Sequence, residues 1–404
     1  MSNFFYKTFR RIGASAFAAG IVLFSAVFYY DGKLSDNYYI SEGKDLSFST
    51  MHSIEGESKA GYSRTSMANT PAGSASTVEL KLFGIIPIKS AHVSVVDRPV
   101  VTPGGTPFGI KLFTEGVMVI DIGNVDTAEG TACPAKVAGI QKGDILLTVA
   151  DEPISSNEQI AGIIEQSGGE AIPVNLRRND KTIKTMLVPL KSSADGKYKS
   201  GIWVRDSSAG IGTVTYYDPN TGNFAGLGHG ICDVDTGEIM PLQSGEVCNV
   251  VINSVVKGRA GTPGELRGAF ASNVPCGFLH LNNESGIFGT LLEEPNSLDS
   301  IPIKLKQEVT AGPATILCTL DDGEIQEYEI NIDKVDLNPK QVTKNMLITV
   351  TDEKLLEKTG GIVQGMSGSP ILQDGKLVGA VTHVFVNNPA KGYGIFAENM
   401  LNYQ

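Results

Sequence analysis

Gly365-Met366-Ser367-Gly368-Ser369-Pro370 is the stretch that decides how this chain is read, and Gly228-His229-Gly230 is its counterpart upstream. A serine framed by glycines and followed by a proline suits a nucleophile, because the glycines let the backbone turn sharply and aim its N–H groups at an oxyanion. Those donors are expected at Gly365 and Ser367. A hydroxyl is inert at neutral pH without a base, and His229 is the candidate. A carboxylate that holds the imidazole tautomer completes such a set. Asp233, Asp235, Asp299, Asp321, Asp322, Asp333, Asp336 and Asp352 all lie between the two motifs. Asp233 and Asp235 fall on the turn after His229, whereas Asp352 ends the strand-like run MLITVT at 346–351, a rigid place for an acid.

Around these motifs, residues 200–404 read as all-β. Short apolar runs at 212–217, 246–256, 314–320, 326–332 and 346–350 are separated by Gly, Asn, Asp and Pro, with no sustained helical period. The length and pattern suit a pair of six-stranded barrels of the trypsin-like kind, with His229 in the first half and Ser367 in the second. The 46 glycines and single tryptophan agree with turn-rich β structure.

Residues 103–191 resemble a PDZ domain, on the strength of PAKVAGIQKGDILLTV at 134–149. There a short helix meets a glycine turn before a strand. A helix follows over 154–164, capped at Ser155 or Ser156, and strands at 173–178 and 182–188 close the unit. PDZ domains take extended peptides by strand addition. The carboxylate-binding loop is expected at Phe108, Gly109 and Ile110, with a peptide from this chain or another as ligand.

The N-terminus carries an uncharged apolar run at 12–30, preceded by Lys7, Arg10 and Arg11. About nineteen such residues suffice to cross a bilayer, and the positive flank places the remainder outside the cytoplasm. An uncleaved signal anchor over residues 1–30 is expected, with a cleaved signal peptide as the alternative. Leading strands at 78–87 and 91–96 complete a segment, 31–102, whose part at 41–77 is rich in Ser, Gly, Thr and Ala and reads as a flexible, cuttable tether. The net charge of -11 argues against nucleic acid as a partner. Cys133, Cys232, Cys248, Cys276 and Cys318 show no metal-site spacing and read as free thiols, so neither a metal nor another cofactor is expected.

Anchor, PDZ-like unit, GHG and the stretch TGGIVQGMSGSP at 359–370, followed by AVTHVFVN at 380–387, together resemble the stage IV sporulation protein B peptidases. The resemblance covers the chain beyond the tether. It implies a mainly β protein, a PDZ domain followed by a trypsin-like serine peptidase, with the triad on His229, Asp352 and Ser367. It further implies export across the inner forespore membrane, self-cleavage near the N-terminus, and cutting of a membrane-bound regulator that releases an intramembrane protease to process a late sigma-factor precursor. Ser369 is the rival nucleophile and is read as a turn residue. His383 is a candidate wall of the S1 pocket, favouring an acidic or polar side chain. His52, His92 and His280 read as solvated or structural. A non-catalytic PDZ scaffold and a general quality-control protease are the other readings.

Overall fold

The structure, a computed structural model, describes residues 2–49, 51, 53–58, 71–179, 181–272, 274–320 and 323–401. Helix α1 (Ser2–Lys33) is free of proline, and its stretch Gly13–Lys33 is wholly unburied and long and apolar enough to cross a membrane. It suggests membrane anchoring. Lys33 Nζ, at its C-terminal end, meets the Asp336 carboxylate at 2.8 Å and ties the helix to the body.

Strands β1 (Asn37–Ser41), β2 (Ile54–Ser58), β3 (Ala75–Leu82) and β4 (Ile86–Val96) form a sheet in the order β1-β4-β3-β2. Alternation puts Tyr38, Ile40, Leu80, Leu82, Val93 and Val95 on one buried face. Leu46, Phe48 and Ile54 close that face, with the Tyr38 and Phe48 rings edge to face at 5.2 Å. Within the described part of the expected tether, Leu46, Phe48 and Ile54 are therefore packed. Its few apolar residues are sparse in sequence, but they meet an apolar face supplied by strands further along. Residues 59–70 and His52 lie outside the described residues.

Two long strands organise the rest. After β5 (Val100–Pro103) comes β6 (Pro107–Ile122), then β7 (Val125–Thr127), β8 (Gly130–Ala132), α2 (Pro134–Val137), β9 (Ile145–Val149), β10 (Glu152–Pro153), α3 (Asn157–Gln166), β11 (Ile172–Arg178), β12 (Lys181–Leu187), β13 (Leu190–Lys191), β14 (Tyr198–Lys199) and β15 (Ile202–Tyr217). Ser156 caps α3 with a full capping box to Gln159, as its sequence suggests. The order β12-β11-β9-β6-β15 makes one sheet. Its core runs from Val117 and Val119 through Ile140, Leu146, Ile160 and Leu176, with Ile202 and Val204 packed against it. The PDZ-like core thus uses only the second half of β6 and borrows the first residues of β15. Between the halves Gly116 sits at φ 73°, where a Cβ would lie 2.4 Å from the Leu146 carbonyl oxygen. Only glycine passes there.

The first half of β6 belongs to a barrel. It pairs with β15 on one side and with β17 (Leu242–Val256) on the other, and the ring closes through β16 (Asn223–Gly226), β19 (Gly277–Asn283) and β20 (Gly286–Leu291), while β18 (Glu265–Phe270) pairs β17 outside it. Phe108, Gly109 and Ile110, expected as a carboxylate-binding loop, are here the middle of a strand. They pair with Gly212, Ile211 and Gly210 and also with Asn249, Cys248 and Val247. Phe108 and Ile110 are buried in the barrel core, the Phe108 ring 5.7 Å from that of Phe224. Their backbone edges are committed on both sides, so they offer no cradle to a peptide terminus.

After β21 (Ile301–Pro302), strands β22 (Gly312–Thr319), β23 (Ile325–Val335), β24 (Met346–Val350), β25 (Pro370–Gln373), β26 (Lys376–Phe385) and β27 (Asn388–Phe396) form a closed second barrel. The expected pair of six-stranded barrels is present. Helix α4 (Glu353–Thr359) follows β24, and α5 (Ala397–Leu401) ends the described chain.

Inside the PDZ core the Asp144 carboxylate is 1% exposed, takes two bonds of 2.6 Å from Arg178, and accepts from the Gln141 amide. Removing one partner of a buried pair strands the other, and Arg178 is itself partly solvated, so Asp144→Ala is expected to cost about 3 kcal/mol in denaturant unfolding.

Candidate active site

The two barrels meet at a cleft of about 830 Å³, lined among others by His229, Ser367, His383, Lys344, Glu284 and the β15 residues from Ser208 to Ile211. The turn before the base is tight: Leu227 and Gly228 both adopt positive φ. A Cβ at Gly228 would press on Ile395, Thr382 and Ala380 of the second barrel at 2.9 to 3.3 Å, so the GHG motif sits at the barrel contact.

His229 Nδ1 lies 2.9 Å from the Gly230 carbonyl oxygen. A carbonyl can only accept, so Nδ1 carries the proton and Nε2 keeps its lone pair. Burial lowers the His229 pKa below its ordinary 6.5, partly offset by that carbonyl. The ring is therefore neutral at pH 7, as a base must be. His383 lies beside it, ring centroids 5.1 Å apart. Its pKa is also lowered, first by packing against the cleft wall and then by repulsion from His229 and Lys344.

Ser367 stands on a loop clamped from the first barrel. Thr213 donates its hydroxyl to the Gly365 carbonyl at 2.8 Å and its amide to the Ser367 carbonyl at 3.0 Å. Gly365 and Gly368 sit at φ 97° and 96°. A Cβ on Gly368 would lie 2.0 Å from the Thr213 carbonyl oxygen, which explains that glycine. The Ser367 hydroxyl itself donates to the Thr382 carbonyl at 3.0 Å, at rest and turned from the base. In apo structures catalytic hydrogen bonds are often long or misaligned and form only with substrate. Ser369 is 0% exposed, in keeping with its reading as a turn residue.

The acids fall elsewhere. Asp233 and Asp235 are held by Arg205, Asp333 by Thr349 and Lys391, and Asp336 by Lys33. Asp321 and Asp322 lie outside the described residues. Asp352 caps α4, its carboxylate accepting from the Leu355 amide at 2.9 Å and the Glu329 amide at 3.4 Å. It is not among the residues lining the cleft. The rim position that made it attractive is also a helix N-terminus, whose unsatisfied amides claim the side chain. Three functional groups were missed in sequence: the Thr213 clamp, the Gly230 carbonyl and the Thr382 carbonyl. Backbone carbonyls carry no residue signature, and Thr213 is one of two threonines in β15.

Among the remaining expectations, His280 bonds Thr290 at 2.9 Å and His92 stands 3.4 Å from the Thr77 hydroxyl. None of the five cysteines is in a disulfide; Cys248 and Cys318 are buried, and Cys232 is exposed at the cleft, its thiol pKa raised by burial of the sulfur and by Glu238.

Two barrels, a shared cleft with serine and histidine, and a PDZ core define a PDZ-containing serine peptidase. Residues 196–401 match the family model described as SpoIVB peptidase S55, and residues 125–178 match that of a PDZ domain. The chain belongs to the SpoIVB peptidase family. Among solved structures it is similar to the PDZ domain of the SdrC-like protein of Listeria monocytogenes, at 19% identity over 22% of this chain and 87% of that one, TM-score 0.19. It is also similar to the Rv3671c protease of M. tuberculosis in its active form, at 12% identity over 48% of this chain and 72% of that one, TM-score 0.27.

Two measurements probe the site. Asp352→Asn keeps a good helix cap but removes the charge; its kcat/KM is expected to stay within about threefold of the parent, whereas a third triad member would lose about 10⁴-fold. The acid limb of kcat/KM against pH should fall below 6.5, because burial disfavours the imidazolium and the neutral base survives to lower pH. A limb above 6.5 would mean that an anion faces His229.

Proposed function

We propose that this chain is an anchored sporulation endopeptidase working outside the cytoplasm, in the space between the forespore membranes. It cuts itself near its N-terminus and then a membrane-bound regulator of an intramembrane protease, so that a late sigma-factor precursor is processed. The observation that carries the enzymatic part is the convergence of Ser367 and a neutral His229 on one cleft. Family membership and the N-terminal apolar helix support the cellular part.

In the proposed mechanism, rotation about the Ser367 χ1 turns the hydroxyl from Thr382 to His229 Nε2. His229 takes its proton as Oγ attacks the scissile carbonyl, and the Gly230 carbonyl holds the resulting imidazolium in place of a carboxylate. The amides of Gly365 and Ser367 receive the oxyanion. His229 then passes the proton to the leaving amine, and water, deprotonated by the same ring, frees the acyl group from Ser367. His383, with Lys344 nearby, forms an S1 wall that favours acidic or polar side chains. The self-cleavage region is the segment 41–77, on sequence alone.

The full-length chain in detergent, incubated beside its Ser367→Ala twin and followed by intact mass, tests this. The parent should lose an N-terminal piece ending within residues 41–77, and the twin should stay whole. Equal trimming of both would remove Ser367 from the reaction.

A further inference from the structure

The pairing of β15 leaves one of its edges open beside the nucleophile. Val214 donates its amide to the Thr106 carbonyl at 3.0 Å, so it faces β6, whereas the Thr213 amide points the other way, to the Ser367 carbonyl. From Thr213 back to Ser207 the register with β6 is unbroken. Backbone groups alternate along an antiparallel strand. Ile211, Ala209 and Ser207 therefore share the orientation of Thr213, with N–H and C=O directed away from β6. Among the described residues no strand pairs with this edge between Ile202 and Ile211. Ser208, Ala209, Gly210 and Ile211 line the cleft that holds His229 and Ser367. Further back, residues Ile202 and Val204 pack on the PDZ core, and Asp206 accepts from the Asn157 amide at the start of α3.

We propose that this open edge is one continuous docking track, on which the part of an extended substrate lying C-terminal to the scissile bond adds as a strand and runs from Ser367 into the PDZ unit. The proposal rests on Ser367 being the nucleophile and names where the PDZ unit receives its peptide. An unpaired edge with alternating donors and acceptors selects an extended, unfolded chain and no compact surface. Direction follows from geometry. The strand β15 runs toward Ser367, so an antiparallel guest runs away from it, with its C-terminal part reaching Ile202–Arg205 beside α3. The span from Ile211 to Ile202 is about 30 Å, or about nine extended residues. The PDZ unit and the cleft then read one peptide, and a cut is favoured where enough unfolded chain follows it.

Unfolded, carboxymethylated casein serves as the probe, together with one amidated casein peptide cut by the enzyme and made with either two or ten residues beyond the cut. Two or three backbone bonds should favour the longer form by about tenfold in kcat/KM. Ala209→Pro removes one open-edge donor without touching the β6 ladder; within that variant the ten-residue and two-residue forms should be cut at equal rates. Equal rates for both lengths in the parent, or a preference kept in Ala209→Pro, would overturn the proposal. Should Ala209→Pro fail to fold, hydrogen exchange on the Ser367→Ala chain decides. Saturating casein should slow exchange of the Ala209 and Ile211 amides, and unchanged exchange there refutes the track. Absence of all cleavage and of labelling at Ser367 by a fluorophosphonate would sink the peptidase reading instead, with the exchange measurement still deciding the edge.

Discussion

Thr213 holds the active site together from the opposite barrel. Its hydroxyl and amide take the carbonyls of Gly365 and Ser367, and its own carbonyl oxygen closes the space over Gly368 while accepting from the Leu227 amide. One residue thus bonds the Gly365–Ser367 loop and the strand turn leading to His229. Buried polar groups that are fully matched cost little and fix a geometry, whereas an unmatched one is expensive. The relative placement of the two barrels is set here by a few directional bonds as much as by the apolar contact around Ala380 and Ile395.

The second dependence is on long shared strands. Both β6 and β15 serve a barrel with one half and the PDZ-like core with the other. A strand continuous through two cores transmits position, because the ladder between β6 and β15 resists local slippage. What happens at the start of β15 is therefore linked to Thr213 at its other end.

Much of this was legible. The glycine frame of Ser367, the GHG turn, the capped helix of the PDZ-like unit and the count of short strands are local signals, and each led to the right element. The failures were non-local. Phe108, Gly109 and Ile110 have the composition of a peptide-binding loop, but β15 and β17, far away in sequence, claim both edges. The end of a strand-like run and the family resemblance favoured Asp352, while the amides of α4 hold its carboxylate. The segment 41–77 read as too polar to pack, yet within its described residues Leu46, Phe48 and Ile54 pack against the face that β3 and β4 present. Local chemistry gives an element its type, and partners chosen across the chain decide which groups stay available.

The passage at Gly116 shows how the PDZ-like unit is joined to the enzyme. It is spliced into the first barrel through two neighbouring strands, much as a loop is inserted in a hairpin. Such a unit is no detachable module. Shortening the chain between the two strands would need a tight turn at their crossing, and any lineage carrying this join inherits recognition and catalysis as a single heritable piece.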